Sequence, residues 1–171
     1  MKKTWYLLLF VLILSASAKA QSTWTATKLD DKMSVKFPSE PKKATVNSVD
    51  TYAVMGKDSL GLVAAVLDFA VVAHIDEATL ATMKDDPQFA DQFKTGFTSS
   101  RPDFNIGDIT IGKWKGNTMY TMSGPQKANK SVLYVQTVII GSKMYMMSCV
   151  VPTGVNVANK DTFFGSLEQT K

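Results

Sequence analysis

The fold is decided by residues 132–151, which read VLYVQTVIIGSKMYMMSCVV. Two runs rich in β-branched and aromatic residues flank Gly141-Ser142, and this pattern predicts an antiparallel strand pair joined by a tight turn. Both runs are apolar on both faces rather than alternating between apolar and polar residues. Strands of that kind lie in a sheet that is covered on each side, so we expect helices on both faces.

Shorter segments with strand character lie on the N-terminal side of this pair. Residues 32–37 alternate apolar and polar side chains, which predicts one wet and one packed face, and Pro38 ends the run. The segment 60–69 is apolar throughout and is expected to be a central strand. Glycines, prolines and aspartates separate the segments. We predict strands at residues 23–29, 32–37, 44–54, 60–69, 106–114 and 117–123, with turns at 56–58 and at Gly124-Pro125.

The hydrophobic period becomes helical between Asp76 and Ser100. Asp76 and Asp86 have side chains suited to helix N-caps, and Pro87 suits the first position of a second helix. Residues 159–169 carry apolar side chains at helical spacing and predict a short closing helix. Three phenylalanines recur every four residues on one side of the second helix, at Phe89, Phe93 and Phe97, and we expect them to dock this helix on the sheet as part of the core.

This order of elements predicts an α+β fold in which helices flank a mainly antiparallel sheet. Helices that are separated from such a sheet distinguish it from a doubly wound fold, where helices and parallel strands alternate. A chain of 171 residues without internal repeats or linker-like stretches is expected to form one domain. We assign residues 21–171 to that domain.

The N-terminal residues have the pattern of a cleavable signal peptide. Lys2 and Lys3 precede an apolar run, residues 5–14, and the small-residue site Ala18-Lys19-Ala20 follows. The apolar run is about half the length that a membrane-spanning helix requires. No cysteine follows it at a position for lipid attachment. We therefore predict cleavage between Ala20 and Gln21 and a periplasmic or secreted protein without a stable membrane anchor.

Charge and cysteine content limit the classes of partner and the source of stability. The formal net charge is +4, and the three lysines of residues 1–20 account for most of it. The remaining lysines are scattered among acidic residues, which argues against nucleic acid or an anionic membrane as a partner. The single cysteine, Cys149, cannot form an internal disulfide, so the core must supply the stability.

Three stretches of the sequence resemble a known family. Residues 33–41 (MSVKFPSEP), 141–145 (GSKMY) and 163–167 (FFGSL) are similar to the PsbP-like group of secreted bacterial domains, which includes the DcrB-like branch. The resemblance implies an α/β/α sandwich built on an antiparallel sheet, with a non-catalytic binding or assembly role and no active site. DcrB-like proteins are usually lipoproteins, and this sequence departs from them in that respect.

His74 and Cys149 are the residues around which an unrecognised enzyme site would have to form. His74 is the only histidine, and a nucleophile with its base must lie within hydrogen-bonding distance. Residues 146–151, however, form an apolar strand in which a cysteine usually behaves as a small buried hydrophobe. For His74, a position at the surface or near a helix cap is the simpler expectation.

Methionines and paired carboxylates offer two possible metal sites. Thioethers with a thiolate favour Cu(I), although alternation along a strand would send these methionines to opposite faces. The pairs Asp30-Asp31, Asp76-Glu77 and Asp85-Asp86 could bind a hard cation, but each stands where aspartate is favoured in a cap or turn. The methionines concerned are Met119, Met122, Met144, Met146 and Met147.

The sequence thus favours a non-enzymatic, exported binding or assembly module of the bacterial cell envelope. Its expected partner is an envelope protein or a small apolar ligand. We assign it no catalytic residue, metal ligand or cofactor, because no complete motif for any of these is present. Two alternatives stay open: an enzyme with a site around His74 and Cys149, and a periplasmic Cu(I)-binding protein that uses its methionines.

Overall fold

The computed structural model describes residues 24–170, so the predicted signal peptide, residues 1–20, lies outside the described residues. The described part contains ten strands and four helices. The strands are β1 (Thr25–Lys28), β2 (Met33–Phe37), β3 (Lys42–Val46), β4 (Val49–Met55), β5 (Gly61–Asp68), β6 (Thr110–Trp114), β7 (Asn117–Pro125), β8 (Val132–Ile140), β9 (Lys143–Val151) and β10 (Glu168–Gln169). The helices are α1 (Phe69–Val72), α2 (Glu77–Met83), α3 (Pro87–Ser99) and α4 (Ala158–Gly165).

Seven strands form one antiparallel sheet in the order β3-β4-β5-β9-β8-β7-β6. The predicted pair is present as β8 and β9, in a register that places Val138 opposite Tyr145. As predicted, β5 lies inside the sheet, between β4 and β9. Strands β1, β2 and β10 form a separate three-stranded antiparallel sheet.

Both faces of the large sheet are covered, which confirms the predicted α+β class. On the helix face, Leu80 of α2 and Phe97 of α3 are buried with side chains of β7, β8 and β9. On the other face, which we call the small-sheet face, Phe37 of β2 and Phe163 of α4 are buried in one cluster with Met147 of β9. The second covering layer therefore contains the small sheet as well as a helix, whereas the sequence predicted helices alone.

Capping residues begin the two central helices where the sequence predicted them. The Asp76 carboxylate accepts a hydrogen bond from the Thr79 amide at 2.8 Å, and the Asp86 carboxylate accepts one from the Gln88 amide at 2.7 Å. Pro87 is the first residue of α3, where its missing N–H costs nothing. The Phe93 ring lies 5.8 Å from the ring of Tyr120 on β7, so the phenylalanine side of α3 faces the sheet as expected.

The segment 44–54 is a hairpin rather than the single strand that we predicted. Strands β3 and β4 meet at Asn47 and Ser48, whose φ angles are 50° and 63°. Two consecutive residues with positive φ are the requirement of a two-residue type I′ turn, and asparagine tolerates that conformation well.

Other predicted boundaries are also wrong. Strand β6 begins at Thr110 rather than at residue 106, and residues 60–69 end as a strand at Asp68, which caps α1. Strand β7 continues through the predicted turn at Gly124, where a Cβ atom would lie 2.1 Å from the carbonyl oxygen of Asn105. The closing helix ends at Gly165, because residues 168–169 pair with β2 instead.

Within residues 24–170, no helix has both the length and the apolar character needed to cross a membrane.

Candidate functional site

His74 and Cys149 lie far apart, so the structure contradicts an enzyme site built from the two. Cys149 pairs with Leu62 near the start of β5, whereas Asp68 ends that strand. The six residue steps between Leu62 and Asp68 span about 20 Å. His74 follows α1 beyond that end, exposed and with a φ angle of 55°.

The Cys149 thiol is poorly suited to chemistry. Its side chain is fully buried in the core between the large sheet and the layer that covers the small-sheet face. Burial raises the pKa of the thiol to about 12, and the positive charge of Lys160 offsets this effect only in part. A thiol that stays protonated is neither a strong nucleophile nor a strong ligand for a soft metal.

The five methionines named as possible copper ligands lie on both faces of the large sheet, so they do not all converge on one site. Met119 and Met147 belong to the core on the small-sheet face. Met122, Met144 and Met146 contact the cores on the helix face. The two groups of methionines face opposite sides of the sheet because side chains alternate between the two faces along a strand. Residues 24–170 also contain no cluster of three histidine, cysteine or acidic side chains that could hold a metal ion.

The paired carboxylates are used in caps, turns and ion pairs. Asp76 and Asp86 cap α2 and α3. Asp85 accepts hydrogen bonds from the Lys113 ammonium group at 2.7 Å and from the Thr118 hydroxyl at 2.8 Å. Hydrogen bonding holds the pKa of the Asp85 carboxyl below its usual value, so this group stays ionised.

Asp30 forms the most highly connected polar cluster in the described structure. One carboxylate oxygen accepts hydrogen bonds from the backbone amides of Lys32 and Met33, at 2.8 and 3.0 Å. The other oxygen accepts from the Lys143 ammonium group and the Tyr145 hydroxyl, both at 2.8 Å. We call Asp30, Lys143 and Tyr145 the Asp30 cluster. It joins the turn between β1 and β2 to the large sheet.

The charges in the Asp30 cluster stabilise the ionised carboxylate. Burial alone would raise the pKa of Asp30, but the hydrogen bonds from Lys143 and Tyr145 outweigh it and lower the pKa. Burial and the bond to Asp30 raise the pKa of Tyr145, so the hydroxyl remains protonated. All four donors and both carboxylate oxygens are occupied, which fits a structural role better than proton transfer.

A concave apolar surface lies on the helix face between α3 and strands β4, β5 and β9. We call it the apolar groove. Its volume is about 320 Å³, and Gln92 is the only residue with a polar side chain that lines it within residues 24–170. The other lining residues are Val49, Ala65, Leu67, Phe93, Gly96, Phe97, Met144 and Met146.

Gly96 lines the apolar groove and borders open space. It lies within α3, and a Cβ atom placed on it would have no other group within 4 Å. Glycine inside a helix costs up to about 1 kcal/mol relative to alanine, so the position is locally unfavourable. Sequence reasoning assigned Phe93 and Phe97 to the core but overlooked Gly96 beside them. A glycine within a phenylalanine-rich helix face was the signal that could have indicated a gap.

Comparison with known proteins identifies the fold but assigns no family. No protein-family profile matches the chain, and no curated protein matches it. Among solved structures, cyanobacterial PsbP (CyanoP) from Synechocystis sp. PCC 6803 is similar with a TM-score of 0.58 at 12% identity, over 90% of this chain and 96% of that chain. A Pseudomonas aeruginosa protein of unknown function reaches 0.44 at 9% identity, over 83% and 91%.

The likeness to CyanoP confirms that this chain has the PsbP-like fold that its sequence motifs indicated. An identity of 12% carries no information about ligand or partner, and the Pseudomonas protein is too remote in structure to support any argument.

Proposed function

We propose that this protein is a non-enzymatic binding module, exported to the bacterial cell envelope, that holds a small apolar ligand in the apolar groove. The observation that carries the proposal is a groove of about 320 Å³ with a nearly continuous apolar lining. Ligand sites in proteins are typically concave, mostly apolar and fitted with a few polar groups that fix orientation.

The composition of the groove specifies the kind of ligand. Phe93 and Phe97 supply flat apolar walls, while Met144 and Met146 supply flexible side chains that adapt to different shapes. Gln92 can both donate and accept a hydrogen bond. A ligand with an apolar body and one polar group fits this arrangement. The volume lies at the small end of the usual range for ligand sites, which favours a single small molecule.

The arrangement of reactive groups supports binding rather than catalysis. The imidazole of His74 and the thiol of Cys149 lie on different parts of the molecule, and the thiol is protonated. Neither residue lines the apolar groove, and no acidic or basic side chain does either. A groove without a nucleophile or a titratable group is suited to holding a ligand without changing it.

Filling the groove tests the proposal. We expect the neutral fluorophore N-phenyl-1-naphthylamine to bind the wild-type protein with increased fluorescence, and Gly96→Leu to abolish the increase. The leucine side chain enters space that is open, and it raises helix propensity by up to about 1 kcal/mol, so the variant should stay folded. Fluorescence titration and the thermal midpoint measure the two effects.

Gly165→Leu is the matched control. Gly165 is also a helical glycine with nothing within 4 Å of a Cβ position, but it does not line the groove. Its variant should bind the fluorophore as the wild type does. Absence of binding by the wild-type protein, or equal binding by the Gly96→Leu variant, would exclude the groove as the ligand site.

The exported location has its own test. We expect the protein recovered from the envelope of the producing cell to have the mass of residues 21–171, because signal peptidase cleaves after small residues such as Ala20. Intact-mass spectrometry measures this directly. A protein that retains residues 1–20, or that stays with the membrane after a salt wash, would show that the export prediction is wrong.

A further inference from the structure

A second concave surface lies on the small-sheet face, between α4 and strands β6, β7 and β8. We call it the polar cleft. Its volume is about 290 Å³. Thr121 and Gln136 belong to its lining, and their register with Met147 places them on the small-sheet face, opposite the apolar groove. The cleft is lined by Thr110, Thr121, Tyr134, Gln136, Lys160 and Phe164, among others.

A row of polar side chains forms the floor of this cleft. Thr110 lies opposite Thr121, and Thr121 lies opposite Gln136, so the three occupy neighbouring positions on β6, β7 and β8. The next residue in the same row, Met147, is fully buried in the core. Within residues 24–170 the protein provides no hydrogen-bonding partner for the side chains of Thr110, Thr121 or Gln136.

Aromatic rings and one lysine form the adjoining wall. The Lys160 ammonium group lies 4.7 Å from the centre of the Tyr134 ring and 5.9 Å from that of Phe164. The same group forms an ion pair with Asp161 at 2.6 Å. Asp108 stands at the cleft as a second carboxylate, paired at 3.3 Å with Lys94. The positive charge of Lys160 is therefore balanced before any ligand arrives.

We propose that the polar cleft binds a small neutral polyhydroxylated molecule of the size of one or two sugar rings. Threonine hydroxyls and the glutamine amide can both donate and accept hydrogen bonds, as sugar hydroxyls do. The rings of Tyr134 and Phe164 add apolar surface beside those groups, although the Lys160 ammonium group already lies over them. An anion gains little here, because the Lys160 ammonium group is already paired with Asp161 and the Lys94 ammonium group with Asp108.

This site is independent of the proposed function, since it lies on the other face of the sheet. Neither Gly96 nor any other residue of the apolar groove lines the polar cleft. Loss of fluorophore binding in the Gly96→Leu variant should therefore leave sugar binding unchanged, and either proposal can fail without the other.

The test is a titration of the isotope-labelled full chain, followed by NMR, with glucose, galactose and N-acetylglucosamine, and with glucuronate as the anionic comparison. We expect the neutral sugars to shift the signals of Thr110, Thr121 and Gln136. Thr121→Val and Gln136→Leu each remove a hydrogen-bonding group with little change of shape. Each should weaken binding by about five- to tenfold, which is the equivalent of one hydrogen bond.

Thr27→Val on β1 is the matched control, because it makes the same substitution on a strand outside the cleft and should leave binding unchanged. Thermal midpoints of all variants separate loss of binding from loss of folding. The proposal is overturned if no neutral sugar shifts these signals, if only glucuronate does so, or if Thr27→Val weakens binding as much as Thr121→Val.

Discussion

We expect Phe163→Ala to lower the free energy of unfolding by about 3–5 kcal/mol, the usual cost of removing a buried phenylalanine side chain. The ring is fully buried between α4 and the large sheet, and its centre lies 5.3 Å from that of Phe37 on β2. Alanine would leave a cavity where the helix, the small sheet and the large sheet meet. Urea denaturation at neutral pH measures the difference.

Phe164→Ala is the control for this substitution. Phe164 is the next residue and has the same side chain, but it is only partly buried and borders the polar cleft. Phe164→Ala should lower the free energy of unfolding clearly less than Phe163→Ala does, because the Phe164 side chain removes less apolar surface from water on folding. If the two variants were equally stable, α4 would not anchor the second layer as described.

The strands and helix starts could be predicted because they depend on local chemistry. Residues 132–151 are recognisable as two strands because apolar side chains lie on both of their faces. This prediction requires no knowledge of any other element of the fold. Asp76 and Asp86 mark helix starts since their carboxylates bond to amides two or three residues away. Contacts between residues that are close in the chain can be predicted from the local sequence.

Features that depend on distant segments could not be predicted in the same way. Strand β10 exists because residues 168–169 lie against β2, more than 130 positions earlier in the chain. Gly124 resembles a turn residue, yet the close approach of Asn105 explains it. The Asn47-Ser48 turn was a local signal that we overlooked, since it falls within a run that otherwise resembles one strand.

The candidate sites were the least predictable part of the molecule. The reactive residue types in the sequence, His74 and Cys149, proved to be separated by the length of β5. Both clefts are instead built from ordinary side chains, in places where α3 and α4 leave part of the sheet uncovered. Such gaps depend on how a helix is placed on a sheet, which a hydrophobic pattern does not specify.

We expect Asp30→Ala to lower the free energy of unfolding by about 2–4 kcal/mol, because it removes the acceptor of four hydrogen bonds, two of them from partly buried side chains. Lys143 and Tyr145 would keep their positions on β9 without a partner. Only 16% of the Asp30 side chain is exposed, so water can compensate only in part. Urea denaturation at neutral pH checks the magnitude.

The same cluster should make stability depend on pH in a defined direction. The folded-state pKa of Asp30 lies below its usual value, so its ionisation favours the folded state above the unfolded-state pKa of about 4, and this contribution is lost as the pH falls through the folded-state pKa. Asp30→Asn lacks a titrating carboxylate. The stability difference between wild type and Asp30→Asn should therefore be largest at neutral pH and shrink below about pH 4.

Asp76→Asn provides the comparison, because asparagine is as good an N-cap as aspartate and Asp30 remains intact. The free energy of unfolding of that variant should fall in acid nearly as much as that of the wild type. The Asp76 carboxylate is exposed, so it contributes little to the pH dependence of stability. Unfolding free energies measured by urea denaturation from neutral to acid pH give the three curves. Parallel curves for wild type and Asp30→Asn would mean that the Asp30 cluster does not hold the turn between β1 and β2 against the large sheet.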